Sequence, residues 1–114
     1  MPKKKILINQ VNLKLNPIAK QLDASIELIK PDNYFTPLKK ILMHQSTQPL
    51  MPVSIHDSIL IMCYFKDEEI DQLLALLKEN QITIDYKAIL TPYNQEWNLL
   101  RLYNELKKEK KGMK

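Results

Sequence analysis

Short apolar runs alternating with helix-period stripes predict an α/β fold. The expected architecture is three-layer: a four-stranded, mostly parallel sheet of order 2-1-3-4, truncated flavodoxin-like, with helices on both faces. Three observations carry this. Strand-length runs occur at 6–8, 25–29, 59–64 and 87–90. Each is followed by apolar residues that recur along one edge of a helix, at i, i+3 and i+4 spacing in all but the first. The longest uninterrupted apolar stretch, the seven residues from Ile59 to Phe65, reads as a strand buried on both faces and therefore central. With 114 residues the chain supports one hydrophobic core. It is read as a single domain, 1–114, with basic, partly mobile ends at 1–4 and 108–114.

The first strand, Ile6-Leu-Ile8, ends in Asn9-Gln10. Asn16-Pro17 offers a cap and a first-position proline for a helix carrying Ile18, Ala19 and Leu22. Ser25–Ile29 is the second strand, stopped by Pro31, and Asp32-Asn33 is turn chemistry. Thr36-Pro37 repeats the cap-then-proline pattern before Leu38, Ile41 and Leu42. From Gln45 to Ser58 periodicity is lost and Pro49 and Pro52 interrupt the chain, so a long loop is expected to be the most mobile internal region. Ile59–Tyr64 is the third strand. Asp67 is its following N-cap, with Glu68 and Glu69 in the positively polarised first turn. Ile70, Leu73, Leu74 and Leu77 make the strongest helical stripe, and Asn80 suits a left-handed end. Ile82-Thr-Ile84 alternates, but Lys87–Leu90 is the better fourth strand. Two helix starts then compete, Thr91-Pro92 and Asn98. Asn98 is preferred, because Trp97 then sits where a hydrophobic staple reaches Leu102, and Leu99, Leu102, Tyr103 and Leu106 complete a face. Pro92, Trp97 and Asn98 are accordingly assigned structural roles.

The net charge of +4 invites a nucleic-acid reading, but its distribution does not support one. Between Ile6 and Leu106 there are nine basic and twelve acidic residues, so the basicity belongs to the two ends. Arg101 is the sole arginine, which leaves the bidentate guanine contact nearly unavailable, and sequence-specific DNA binding is not expected. A seven-residue apolar run falls far short of the roughly 20 that cross a bilayer. Met1-Pro-Lys-Lys-Lys leads into a strand without a signal-peptide apolar region. Cys63 is the only cysteine, so no intrachain disulfide forms and a cytoplasmic location is expected.

Glycine scarcity excludes more. The only one is Gly112. Phosphate-cradling loops need glycines for close backbone approach, so neither a dinucleotide fingerprint nor a P-loop can be built. The topology also invites comparison with phosphoacceptor receiver domains. Those need clustered acidic residues where this chain carries Asn9-Gln10 and Tyr64-Phe65, so active receiver chemistry is not expected, and a degenerate, non-phosphorylated relative stays open. Neither a metal site nor a cofactor is expected. Cys63 in an apolar strand reads as a buried small hydrophobe, His44 as a helix end and His56 as a loop residue.

Lys87-Ala-Ile-Leu-Thr-Pro, Asn94 and Trp97, together with Lys66-Asp-Glu-Glu-Ile-Asp71 and Ile29-Lys-Pro-Asp-Asn-Tyr34, resemble the small bacterial proteins grouped as domain of unknown function 3783. This sequence departs from the family pattern at Tyr64, where glycine is common, at Tyr93 for a small polar residue, and at Asn98 for a threonine cap. The resemblance implies a cytoplasmic bacterial α/β protein and supplies no activity.

In an open α/β sheet, ligands sit outside the carboxyl ends of the strands. The leading expectation is therefore a non-enzymatic binding or regulatory module using that edge, with Asn9, Thr91 and Asn94 as ligand-binding residues. Asn94 is expected to hold its side chain free in the crevice. The partner would be a protein or a small polar ligand. The alternative is a small enzyme with a site assembled from Asn9, Cys63, Thr91 and Asn94, joined by His56. A third reading is a nucleic-acid accessory protein acting through the lysine-rich tail.

Overall fold

The computed structural model of the chain describes residues 3–47, 51 and 53–112. Its strands are β1 (Lys5–Ile8), β2 (Ser25–Leu28), β3 (Ile59–Cys63) and β4 (Tyr86–Ile89). Its helices are α1 (Leu15–Gln21), α2 (Leu38–Leu42), α3 (Asp67–Glu79) and α4 (Leu99–Gly112), with short 3-10 turns at Pro31–Asn33 and Asn94–Glu96. The sheet order is β2-β1-β3-β4, as the sequence predicts. It is mostly parallel: β2 runs with β1, and β4 with β3. The central ladder departs from a flavodoxin-like sheet, because β1 and β3 are antiparallel, with Lys5 opposite Cys63 and Ile8 opposite Leu60. The physical reason lies in the connection between β2 and β3. A parallel crossover is usually carried by a helix that runs back along the strands. Among the described residues the one α-helix in that connection has five residues and rises about 7.5 Å. The chain instead leaves and re-enters the sheet at the same edge.

The chain divides into two compact units, Met1–Leu28 with Asp57–Ile89, and Ile29–His56 with Leu90–Lys114. In the first, Ile6, Ile8, Leu60 and Met62 form one face of the sheet. They pack with Leu15, Ile18, Ala19 and Leu22 from α1 and its end, with Leu73 and Leu77 of α3, and with Ile82 and Ile84. On the opposite face Leu7, Ile59, Ile61 and Cys63 are equally buried, so β3 is apolar at every position because both faces are covered. Lys4 forms an ion pair with Glu69 of α3, and Lys5 reaches Glu27 of β2 at 3.0 Å. In the second unit Ile29, Tyr34, Leu38, Ile41, Leu99 and Leu102 are buried. The Leu38 N–H donates to the Trp97 carbonyl at 2.9 Å, and Lys39 pairs with Glu96 at 2.7 Å.

Several expected caps move by a residue or two. α1 begins at Leu15, so Pro17 stands third, where its missing N–H is still one of the unpartnered first-turn groups. Thr36 does not cap α2. It is fully buried, with its hydroxyl donating to Asn33 Oδ1 at 3.1 Å and accepting from the Thr47 N–H at 3.2 Å. Lys66, not Asp67, is the N-cap of α3, its N–H donating to Glu69 Oε1 at 2.8 Å. With glycine nearly absent, three helices end on left-handed Asp23, His44 and Gln81, at φ of 56°, 59° and 57°. Each end carries the paired backbone bonds of a Schellman cap, such as Ile82 N–H to Leu77 O at 2.9 Å and Gln81 N–H to Lys78 O at 3.1 Å. Asn80, expected there, instead donates its side-chain amide to Leu76 O at 2.8 Å. The fourth strand starts at Tyr86, while Ile82 and Ile84 are buried without joining the ladder. Within the expected mobile loop, residues 48–50 and 52 lie outside the described residues, as do 1, 2, 113 and 114 of the two ends.

Candidate functional site

Asn9 follows β1 at the edge where β3 begins. Its amide donates to the Asp57 carbonyl at 2.9 Å and accepts from the Ile59 N–H at 2.7 Å, and only 8% of the residue is exposed. The side chain therefore imitates one more backbone pair of the β1–β3 ladder. On the other side of β3 the start is pinned again. The Ser58 N–H and hydroxyl both donate to Asp85 Oδ2, at 2.8 and 3.1 Å, and the Asp85 N–H donates back to Ser58 Oγ at 2.8 Å. This polar edge is a clasp for strand starts.

Thr91 and Asn94 belong to the second unit, where they close on each other. The Thr91 N–H donates to Asn94 Oδ1 at 2.8 Å, and the Asn94 N–H donates to Thr91 Oγ1 at 3.1 Å. This is a reciprocal capping box around the Asn94–Glu96 turn. Pro92 follows the cap, in the position where a missing N–H has no consequence. Asn94 is 8% exposed, so its side chain is not free to face a crevice as expected. Asn98 caps α4 separately, accepting from the Arg101 N–H at 2.9 Å, and the Arg101 guanidinium lies 4.5 Å from the centre of the Trp97 ring. Both competing helix starts are used, one for the 3-10 turn and one for α4.

The antiparallel central ladder bears directly on the expected crevice. β1 ends level with Leu60 near the start of β3, whereas β4 ends level with Met62 near its finish. The carboxyl ends of β1 and β4 thus point to opposite edges, and the sheet has no common carboxyl edge. Asn9 stands at the end of β1 in the first unit, and Thr91 and Asn94 pair with each other within the second.

Cys63 is fully buried, and burial pushes its thiol up to about 12, with Glu27 reinforcing the shift and Lys5 opposing it. At neutral pH it is a protonated, inert thiol. His44 is exposed at the end of α2, and His56 is exposed in the loop. Tyr34 is buried while Tyr93 is 83% exposed. Among the described residues no group of three or more His, Cys, Asp or Glu is placed to hold a metal ion, and no helix is long and apolar enough to cross a membrane.

A surface the sequence reading passed over lies in the first unit, between α3 and β4. A groove of about 510 Å³ has Leu77, Ile82 and Ile84 as its floor, Leu74 at its mouth, and Lys78 and Lys87 along its rim. The signals were legible. Leu74 extends the α3 stripe, and Ile82-Thr-Ile84 is apolar in alternation without being a strand. What covers them depends on tertiary placement.

Residues 58–113 match the family model described as Domain of unknown function (DUF3783). The segment Ile29–Tyr34 lies outside the matched residues. No curated protein and no solved structure matches the chain.

Proposed function

We propose a role from the chain's own geometry, because the family model that residues 58–113 match is described as Domain of unknown function (DUF3783) and carries no activity. The protein is a non-enzymatic, cytoplasmic bacterial binding or regulatory module that holds a partner protein in the groove between α3 and β4. The observation that carries this reading is the groove itself, an apolar floor left open at Leu74 and lined by no carboxylate. Concave, largely apolar sites with a few charges at the rim are where partners dock.

The enzyme reading has less support. Asn9, Thr91 and Asn94 spend their polar groups on backbone, and Cys63 is held as a buried thiol. The lysine-tail reading is likewise weaker, because Lys107 stacks 4.4 Å from the Tyr103 ring centre and Lys108 lies 3.6 Å from Glu105. A small polar ligand fits the apolar floor poorly.

A random peptide display library panned against the wild-type protein and against Leu74→Asp tests the proposal. Enrichment on the wild type that disappears on Leu74→Asp, with unchanged circular dichroism, is the expected result. Enrichment that ignores the substitution, or none at all, overturns it.

A further inference from the structure

The groove carries one sign of charge and adjoins the outward-facing backbone of Lys87, which has no hydrogen-bond partner among the described residues, and the two together specify its occupant. β4 is the outermost strand on its side of the sheet. The Tyr86 N–H donates to Ser58 O at 3.0 Å, toward β3. Peptide groups alternate in direction along a strand, so Lys87 turns its N–H and C=O away from β3 and toward the edge. In register Lys87 stands beside Leu60, and neighbouring partners share a face, so its side chain lies on the face that α3 covers. There it lines the groove together with Lys78 from the last turn of α3. Lys4, Lys5, Lys39 and Lys108 are all ion-paired, whereas neither Lys78 nor Lys87 has an ion pair among the described residues.

We propose that the groove takes an extended, acidic segment of a partner protein as a fifth strand beside β4. A carboxylate of that segment sits between Lys78 and Lys87. Apolar side chains two residues to either side share its face and cover Leu74 and Ile84. The inference rests on the binding-module reading and deepens it by naming the partner's chemistry. A second copy of this chain is the poorer occupant. Pairing β4 with itself about a two-fold axis brings Lys87 close to its own counterpart, the device by which edge strands resist self-association.

The probe is a peptide with fluorescein on its N-terminus, fluorescein-Ser-Leu-Thr-Glu-Thr-Leu-Ser-amide, titrated by fluorescence anisotropy at low salt against a twin carrying Lys for Glu. The wild type is expected to prefer the acidic peptide by about tenfold, a gap that narrows as salt screens the pair. Lys87→Glu should reverse the preference, and Lys78→Glu should at least abolish it. Both side chains are exposed, so folding is checked simply by circular dichroism. Compared with Lys87→Ala, which removes only the ammonium, Lys87→Pro also removes an outward N–H without touching the β3 ladder, and should weaken the acidic peptide about a further fivefold, the equivalent of one hydrogen bond near 1 kcal/mol. Equal binding of the two peptides overturns the acidic specificity. Equal affinity in Lys87→Pro and Lys87→Ala overturns the strand geometry. Light scattering that shows a dimer dispersed by Leu74→Asp overturns the choice of occupant. Library enrichment that depends on Leu74 but selects no acidic residues leaves the binding module standing and defeats this inference alone.

Discussion

Asn9 and Asn94 are buried polar residues whose amides stand in for backbone groups, one at a strand end and the other at a turn. Removing the Asn9 side chain takes one partner from the Asp57 carbonyl and leaves the buried Ile59 N–H without its acceptor. Asn9→Ala should therefore cost about 2 kcal/mol in chemical denaturation, the range for orphaning a buried partner. Asn94→Ala removes half of a capping box and should cost about 1 kcal/mol, read in the same experiment. An effect within experimental error for either would mean its bonds are dispensable. Cys63 gives a third residue-scale outcome. With its thiol pushed up to about 12, it should react with a thiol reagent such as 5,5′-dithiobis(2-nitrobenzoate) only at the rate of unfolding. Rapid native-state labelling would instead indicate an exposed thiolate.

At the scale of elements, the joint between β3 and α3 holds the least comfortable backbone. Tyr64 lies between them at φ 66°, a left-handed conformation that an aromatic residue adopts only under constraint from both neighbours. Its side chain is 45% exposed and brings little packing in return. Tyr64→Gly relieves strain of about 1–2 kcal/mol per residue, less the larger entropy that glycine loses on folding. The variant should gain about 1 kcal/mol, checked by the denaturation midpoint. A loss would show that the tyrosine ring makes contacts that outweigh its backbone. A positive φ is the conformation that glycine adopts without a side-chain penalty, so this position suits glycine.

For the molecule as a whole, the direction of β3 is the decision with the widest consequences, and it can be tested covalently. Lys5 stands opposite Cys63 in the antiparallel ladder. Opposed residues in such a ladder have Cα atoms about 4.5–5.5 Å apart, within disulfide reach. Lys5→Cys, refolded under oxidising conditions, should cross-link to Cys63, seen as protection from alkylation in unfolding buffer. A parallel ladder would set the two several residues out of register and prevent the link. Acid stability is a second whole-molecule property. The Lys4 ammonium, helped by the Lys66 N–H, holds the Glu69 carboxyl below its ordinary value of 4.5. A lowered carboxyl stabilises the fold above its unfolded-state value, and that contribution is lost as pH falls through the lower folded value. Stability should decline below about pH 4.5, and less steeply in Glu69→Gln, as measured by thermal melts across pH. Identical acid limbs in the two proteins would assign the decline to other carboxylates.

Much of this protein was settled by its sequence alone. The apolar run at Ile59–Cys63 could only be a central strand, because nothing but burial on both faces accommodates five successive apolar side chains, four of them large. The stripe of Ile70, Leu73, Leu74 and Leu77 could only be a helix against a sheet, and strand order followed from alternation and short connections. Local spacing could not determine strand direction. That depended on the short α2 failing to span the sheet and on Asn9 and Asp85 clasping the start of β3, contacts between residues 27 to 50 positions apart in the chain. The same long-range choice separated the strand ends on which a carboxyl-edge site relied. It left the groove between α3 and β4 as the open surface, since Leu74, Ile82 and Ile84 look like ordinary core residues until the sheet ends beside them.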